Sequence, residues 1–280
     1  MLIQPFQPHE LHFAYCYRVY FRWQTAKNLP CAPLALLDAR QMYGLSSPYQ
    51  IRVLECSSSV TELLTIVSLK PQETISGCAS KLKGQVSKWL RNRLQLREPT
   101  KLLSRSYFAC TIGKSKTRVI ERYLDRQGEH HGYGRRLLPP VFVEQYALTA
   151  GDEERLAVKH ACVIARFHIV LSTCKRLGIL GSQEGQRIAA AWQKAQTELH
   201  ASIIKVSFVP DHVHFALRIH PTVSPADVVV SLMNIAQDAI QDSLVRSGVN
   251  RLWEPSAYVG GYGDLASAQL RKYLKKFELI

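Results

Sequence analysis

Apolar and polar residues alternate along several short stretches, and the same series of stretches occurs twice. In the first half an alternating run covers about 12–23, with two further runs at about 50–57 and 62–69. In the second half the counterparts are about 165–173, 202–209 and 212–219. Val, Ile, Leu and Phe dominate these runs, which predicts strands. Between the first and second strand of each half the pattern turns helical, at about 33–43 and about 183–199. A long helix is predicted to follow the third strand, with Thr74 or Ser224 as its N-cap. A short strand (about 106–112; about 256–260) and a last helix (about 115–127; about 264–277) complete each series.

The two series are related by a constant offset of 150 residues. Tyr17-Arg18-Val19-Tyr20-Phe21 aligns with Phe167-His168-Ile169-Val170-Leu171, and Leu69-Lys70-Pro71 with Ile219-His220-Pro221. Ser106, Gly113 and Tyr123 align with Ser256, Gly263 and Tyr273. A single offset maintained over so long a span implies an internal duplication. The predicted class is α+β, with antiparallel sheets flanked by helices. Three regions follow: a first repeat over 1–136, a connector over 137–160 around Pro139-Pro140 and Gly151-Asp152-Glu153-Glu154, and a second repeat over 161–280.

Composition changes this picture in one respect. The net charge is +14, and it is divided unequally: residues 1–140 carry +12 and residues 141–280 carry +2. So large a positive excess suggests a polyanionic partner, most simply nucleic acid. Much of it lies on the first repeat's long helix and just beyond, at Lys81, Lys83, Lys88, Arg91, Arg93 and Arg97, with Lys114 and Lys116 before the last helix. The counterpart helix carries Asp227, Asp238 and Asp242 instead. Phosphate contact is therefore expected mainly from the first half. The seven cysteines are scattered, with no metal-finger spacing, and read as reduced thiols. No signal core or membrane-length apolar run is visible, so a cytoplasmic protein without membrane contact is expected.

The candidate chemistry sits at Pro210-Asp211-His212-Val213-His214. In a strand, residues two apart point to one face, so His212 and His214 set two imidazoles side by side, a pair of divalent-metal ligands. The aligned residues of the first repeat are Glu62 and Leu64; a carboxylate beside a leucine cannot make the same site. The last helices differ in the opposite sense. The first repeat has Tyr123 and, four residues on, Gln127; the second has Tyr273 and Phe277. Gly260-Gly261-Tyr262-Gly263 fits no phosphate-loop pattern and reads as a flexible turn. Trp23, Trp89, Trp192 and Trp253 read mostly as core.

These residues resemble those of the single-tyrosine HUH transposases, the TnpA-type enzymes of insertion sequences and their REP-associated relatives. The resemblance rests on Pro210–His214, on Ser106-Tyr107-Phe108, on Tyr123-Leu124-Asp125-Arg126-Gln127-Gly128 and on His130-His131-Gly132-Tyr133, and it spans nearly the whole chain twice. It implies two tandem ferredoxin-like HUH repeats forming a pseudo-dimer, with Mg2+ or Mn2+ at His212 and His214 and Gln127 as a third ligand. It also implies Tyr123 as the nucleophile on single-stranded DNA with hairpin ends, leaving a 5′-phosphotyrosine and a free 3′ hydroxyl. A cation at the phosphate neutralises developing charge, and a phenol is a weak nucleophile without such help. In many relatives the tyrosine helix of one subunit completes the HUH site of the other. The expectation is thus one composite site, with His212 and His214 from the second repeat and Tyr123 and Gln127 from the first. The alternative within the same half pairs the histidines with Tyr273. Two other functions stay open at this point: a non-catalytic DNA hairpin-binding protein, and a phosphodiesterase that uses water. A monomer is the simplest assembly, because the duplication supplies both halves.

Overall fold

The computed structural model describes residues 5–96, 100–113, 115–127 and 141–264. Arg97, Lys114, Tyr273, Phe277 and the run His130–Tyr133 lie outside the described residues. In chain order the strands are β1 (His12–Cys16), β2 (Arg18–Thr25), β3 (Arg52–Ser58), β4 (Glu62–Ser68), β5 (Leu103–Ile112), β6 (Phe142–Gln145), β7 (Ala161–Ile164), β8 (Arg166–Thr173), β9 (Ala201–Val209), β10 (His212–Ile219) and β11 (Trp253–Gly261). The α-helices are α1 (Ala39–Ser46), α2 (Ile75–Arg93), α3 (Thr117–Asp125), α4 (Ala150–Arg155), α5 (Ser182–Ala195), α6 (Pro225–Ala239) and α7 (Gln241–Arg246). The predicted caps are in place. Thr74 Oγ1 accepts from Gly77 N at 2.9 Å to open α2, and Ser224 Oγ accepts from Asp227 N at 3.1 Å to open α6.

The strands form two sheets, ordered β3-β4-β2-β5-β7 and β1-β11-β8-β10-β9-β6. Each repeat supplies an antiparallel core of four strands, as expected from the alternating runs. The edges are another matter. The expected opening strand of the first repeat breaks at Tyr17, and its first part, β1, pairs in parallel with β11 of the other repeat. Reciprocally, β7 from the second repeat pairs in parallel with β5 of the first. Phe13 stands opposite Ala257, and Ala161 opposite Tyr107. Each sheet is thus completed by one strand of the other repeat, which makes the pair of repeats one pseudo-symmetric body.

Two further reciprocal contacts tie the halves together. Ser76 N donates to Pro221 O at 2.9 Å, and Ala226 N donates to Pro71 O at 2.9 Å, an exchange between the starts of α2 and α6. At the ends of β5 and β11 the backbones nearly touch. A Cβ on Gly113 would lie 2.2 Å from Gly261 O, and one on Gly263 would lie 2.6 Å from Thr111 O. The matching glycines of the repeat therefore have a packing reason, since no side chain fits between the crossing backbones.

Two expectations need correction. The offset of 150 holds for β3, β4, β5 and α2, but the opening strands align at 148: Arg18 opposite Ser68 corresponds to Arg166 opposite Arg218. Tyr20 is consequently the counterpart of His168. A slip of two residues leaves every side chain on its original face, so the alternation in sequence does not reveal it. Gly260-Gly261 is not a turn but the end of β11: Gly260 stands opposite Cys16 of β1 and His168 of β8, and Gly261 opposite Phe167. Within the connecting segment, β6 adds antiparallel to β9 at the sheet edge.

Helices cover one face of the sheets. Ile75, Cys78, Leu82 and Val86 of α2, Ile188 and Trp192 of α5 and Val229 and Met233 of α6 share the main core with Leu63, Val67, Val213 and Phe215. Trp23, Trp192 and Trp253 are fully buried; Trp89 packs partly buried at the edge of the core. The alternate residues, Glu62 and Leu64 in β4 and His212 and His214 in β10, face the other side.

Candidate active site at the junction of the repeats

His212, His214 and Ala216 share one face of β10, and His168 on β8 stands opposite Ala216 in the ladder. Three imidazoles therefore converge where sequence spacing pointed to two. The ring centroids of His212 and His214 are 4.9 Å apart, and His168 and His214 are stacked at 5.3 Å. All three are buried. His168 is missed by reading one motif at a time; its signal is the alternation Arg166-Phe167-His168, which needs strand pairing to be placed.

The hydrogen bonds orient the rings. Asp211 Oδ1 lies 2.6 Å from His212 Nδ1, and Arg176 holds Asp211 from the other side at 3.2 Å. His168 Nε2 lies 3.1 Å from His214 Nδ1. Desolvation of the buried ring lowers His168 to about 4, so it is neutral at physiological pH. In the tautomer with an unprotonated Nε2, His168 accepts from His214 Nδ1–H, as Asp211 accepts from His212 Nδ1–H. Both strand histidines then keep the Nε2 lone pair as the ligating atom, held by a neighbour on the opposite nitrogen. This donor set suits a divalent cation. Among the described residues no group of three His, Cys, Asp or Glu side chains is placed to hold a metal ion; His168 meets the pair through His214 Nδ1 and not as a third ligand.

Tyr123 reaches this face from the other repeat. Its ring centroid is 5.4 Å from that of His214 and 5.9 Å from that of His168, both edge-on. The reason is α3 itself. Leu124 is fully buried against Ile204, Ala216 and Tyr262 of the second repeat, with Ile120 beside it. Asp125 pairs with Lys205 of β9, whose ammonium is buried. Apolar docking and this ion pair seat the first repeat's helix on the second repeat's sheet, with Tyr123 one turn from Ile120. Gln127 is not on the same helix as expected. α3 ends at Asp125, Arg126 leaves helical torsion (φ −107°, ψ 21°), and Gln127 beyond it is buried, its amide donating to Tyr123 O at 3.0 Å. The amide oxygen is the end of Gln127 with the chemistry of a metal ligand.

The corresponding face of the first repeat holds different chemistry. Tyr20, Leu64, Ile66, Cys110 and Ile112 form an apolar cluster there, with Phe108 and Ile164 against it. Glu62 is bonded to Arg22 and, at 3.3 Å, to Gln24.

The basic residues are spread over the helical side. Lys81 is bound to Glu73 at 3.0 Å and lies over the Tyr49 ring, while Arg93 lies over Trp89 at 5.3 Å. Lys83 donates to Arg105 O at 3.2 Å. Partial burial, then the like charges of Lys101 and Arg105, lower Lys83; desolvation, then Arg105, Lys159 and Lys101, lower His160. This knot of cations draws on β5 and on the end of the connecting segment, which the helix-based reading did not include. Lys88 and Arg91 also lie on α2, and Lys116 is the N-cap of α3. α2 packs on the face of its sheet opposite to the one that carries Glu62 and Leu64, so its charges are not contiguous with the histidine face.

The matched family is one of transposases. The family model for IS200-like transposases matches residues 41–127 and 163–276, one segment in each repeat. The chain belongs to the IS200-like transposase family. Among solved structures, it is similar to a proposed transposase from Deinococcus radiodurans R1, at 18% identity over 43% of this chain and 96% of that one, with a TM-score of 0.35. It also aligns with an inactive peptidase M16 domain from Pseudomonas fluorescens, at 11% identity over 91% of this chain and 96% of that one, with a TM-score of 0.18. Neither superposition bears on the site; the family assignment rests on the matched residues. No curated protein matches the chain. No helix among the described residues is long and apolar enough to cross a membrane.

Proposed function

We propose that the chain is a nicking and strand-transfer enzyme for single-stranded DNA with one composite active site. The observation that carries this reading is the Tyr123 ring, 5.4 Å from that of His214 and supplied by the other repeat. Tyr123 Oη attacks the scissile phosphorus, forming an O–P bond as the bond from phosphorus to the 3′ oxygen breaks. The phenol proton passes to the medium, and the departing 3′ oxygen takes one up as a hydroxyl. One phosphate ester replaces another, so the step is reversible and the strand can be rejoined. His212, His214 and Gln127 would hold a divalent cation, Mg2+ or Mn2+, which when bound supplies charge neutralisation at the phosphate. Asp211 and His168 are positioning residues that fix the tautomers of the two ligating rings. Buried Leu124 and the Lys205–Asp125 pair hold the nucleophile in reach of the phosphate. Phosphate contacts through Lys81, Lys83, Lys88, Arg91, Arg93, Arg97, Lys114 and Lys116 would hold the DNA, a hairpin-flanked single strand, and the protein would act as a monomeric pseudo-dimer.

The test is a covalent-adduct gel with Mn2+ or Mg2+ and labelled single-stranded DNA carrying the element's own flanking hairpins. Adduct is expected from wild type and from Tyr273→Phe, and none from Tyr123→Phe or His212→Ala. The opposite dependence on the two tyrosines would overturn the composite site in favour of one within the second repeat. No adduct on DNA that the protein demonstrably binds would leave a hairpin-binding protein, and cleavage without an adduct would mean that water is the nucleophile.

A further inference from the structure

Next to the histidines, at the seam between the repeats, lies a cavity of about 350 Å3. Its walls come from both halves: Arg18 and Ser115 from the first, His168, Tyr258, Gly260 and Tyr262 from the second. His168 is a shared wall, since its other contact is His214. Anything in the cavity therefore sits immediately beside the phosphate-handling groups.

The two repeats differ in chemistry at this place. The counterparts of His168, Tyr258 and Gly260 in the first repeat are Tyr20, Phe108 and Cys110. The ring geometry is retained, with Tyr20 and Phe108 at 6.1 Å and His168 and Tyr258 at 6.0 Å, both edge-on. There, however, the neighbours are apolar: Cys110, Ile164 and Leu64 join Tyr20 in one cluster. Beside the histidines the cavity is open. Gly260 keeps it so. A Cβ there would lie 2.7 Å from the Tyr258 hydroxyl and 2.8 Å from its ring, so any side chain would displace the aromatic that forms the wall.

The lining also carries groups that a ligand would satisfy. Arg18 corresponds to Arg166, which is neutralised by Asp264 at 3.0 Å and bonded to Thr117 at 3.0 Å. The residue aligned with Asp264 is Lys114, a like charge in place of a counter-ion. No ion pair among the described residues uses Arg18. Tyr262 is buried, and its hydroxyl has no hydrogen-bond partner among the described residues. Burial pushes that phenol well up, which keeps it a donor. Tyr258 is over a third exposed, an aromatic face at the cavity rim. A guanidinium and an exposed ring around a cavity of this size match one nucleotide: phosphate and base face.

We propose that this cavity is a nucleotide subsite, which seats one unpaired nucleotide of the DNA strand beside the phosphate at His212 and His214, with its base on Tyr258 and its phosphate on Arg18. The inference rests on the single-strand reading of the active site and adds to it a place where the enzyme itself grips a base next to the cut.

The experiment is photocross-linking of the full wild-type chain, without added divalent cation, to a short oligothymidylate carrying one iodouracil, followed by peptide mapping. Cross-linking is expected at Tyr258. In parallel, binding of the unmodified oligothymidylate and of an equally long oligomer lacking bases is measured by anisotropy. Wild type is expected to favour the base-bearing strand by about 5- to 150-fold, the usual worth of one stacked base. Tyr258→Leu and Gly260→Cys should abolish that preference; Cys is what the first repeat carries at that position. Arg18→Gln should weaken both oligomers and lower the salt slope by about one. Cross-links confined to residues outside 253–264, with the three variants binding as wild type does, would overturn the subsite. Because no nicking is required, a chain that forms no covalent adduct can still pass or fail this test.

Discussion

Leu124→Ala tests whether the composite site depends on helix docking across the seam. Leu124 is fully buried, but in a small cluster with Ile204, Ala216 and Tyr262 that is separate from the main core. Truncation removes the transfer free energy of the side chain and leaves a void, together about 2–5 kcal/mol for a buried leucine. The other contacts of α3 with the second repeat are at its margin: half-buried Ile120, the Thr117–Arg166 hydrogen bond, the Tyr123 ring edge-on to His168 and His214, and the Asp125–Lys205 pair, in which Asp125 is 55% exposed and so only weakly coupled. The loss should therefore fall on docking of α3 and not on global stability. At 1.4 kcal/mol per decade, the undocked population rises about 30- to 4,000-fold. Native-state hydrogen exchange followed by mass spectrometry reads this directly. Protection of residues 117–125 should fall by that factor, while β9 and β10 keep theirs and the thermal midpoint stays within about 2 °C of wild type. Adduct formation should fall in step with docking. Unchanged protection of 117–125, or an equal loss across β9 and β10, would refute the idea of a locally docked helix and with it the physical basis of the composite site.

Three further outcomes are expected. Asp211→Asn, which weakens the acceptor at His212 Nδ1, should reduce adduct yield about 10- to 100-fold at limiting Mn2+ and recover in part at high Mn2+; equal yield at every concentration would show that Asp211 does not orient the ligand. Thr111→Val removes a hydroxyl that donates to Tyr262 O at 2.9 Å and accepts from Arg166 N at 2.8 Å, so urea unfolding should show a loss of about 1–3 kcal/mol; a neutral result would mean that the seam reseals without it. Burial raises the Asp152 carboxyl, but hydrogen bonds from Thr149, Ser202 and Arg155 outweigh burial and hold it well below the usual range. A carboxylate lowered in the folded state adds stability above its unfolded pKa and loses it as pH falls toward the folded one. The stability gap between wild type and Asp152→Asn should thus narrow from about pH 6 to about pH 3, and a gap independent of pH would count against the network.

Much of the fold was legible because alternation and capping are local. The strands at 201–209 and 212–219 and the caps Thr74 and Ser224 coincide with the sequence reading within a residue or two. His212 and His214 were legible as a pair because a strand places alternate residues on one face. The split at Tyr17 was not. Residues 12–23 alternate without interruption, and nothing local distinguishes one long strand from two that enter different sheets. Arg126 likewise ends α3 at a residue with no Gly or Pro signature, so the helix seemed to run through Gln127.

The amino-acid sequence by itself determined the duplication, the α+β class, the lopsided charge and the loss of histidines from one repeat, because each depends on residue identity and short-range periodicity. Only the tertiary structure decided that β1 and β7 exchange between sheets, that His168 joins the histidine pair, that Tyr123 meets His214 across the seam, and that a cavity stays open at Gly260. These depend on which strand edge pairs with which and on the volume left between surfaces more than a hundred residues apart in the chain. Pairing and packing are properties of several segments at once, and no single segment encodes them.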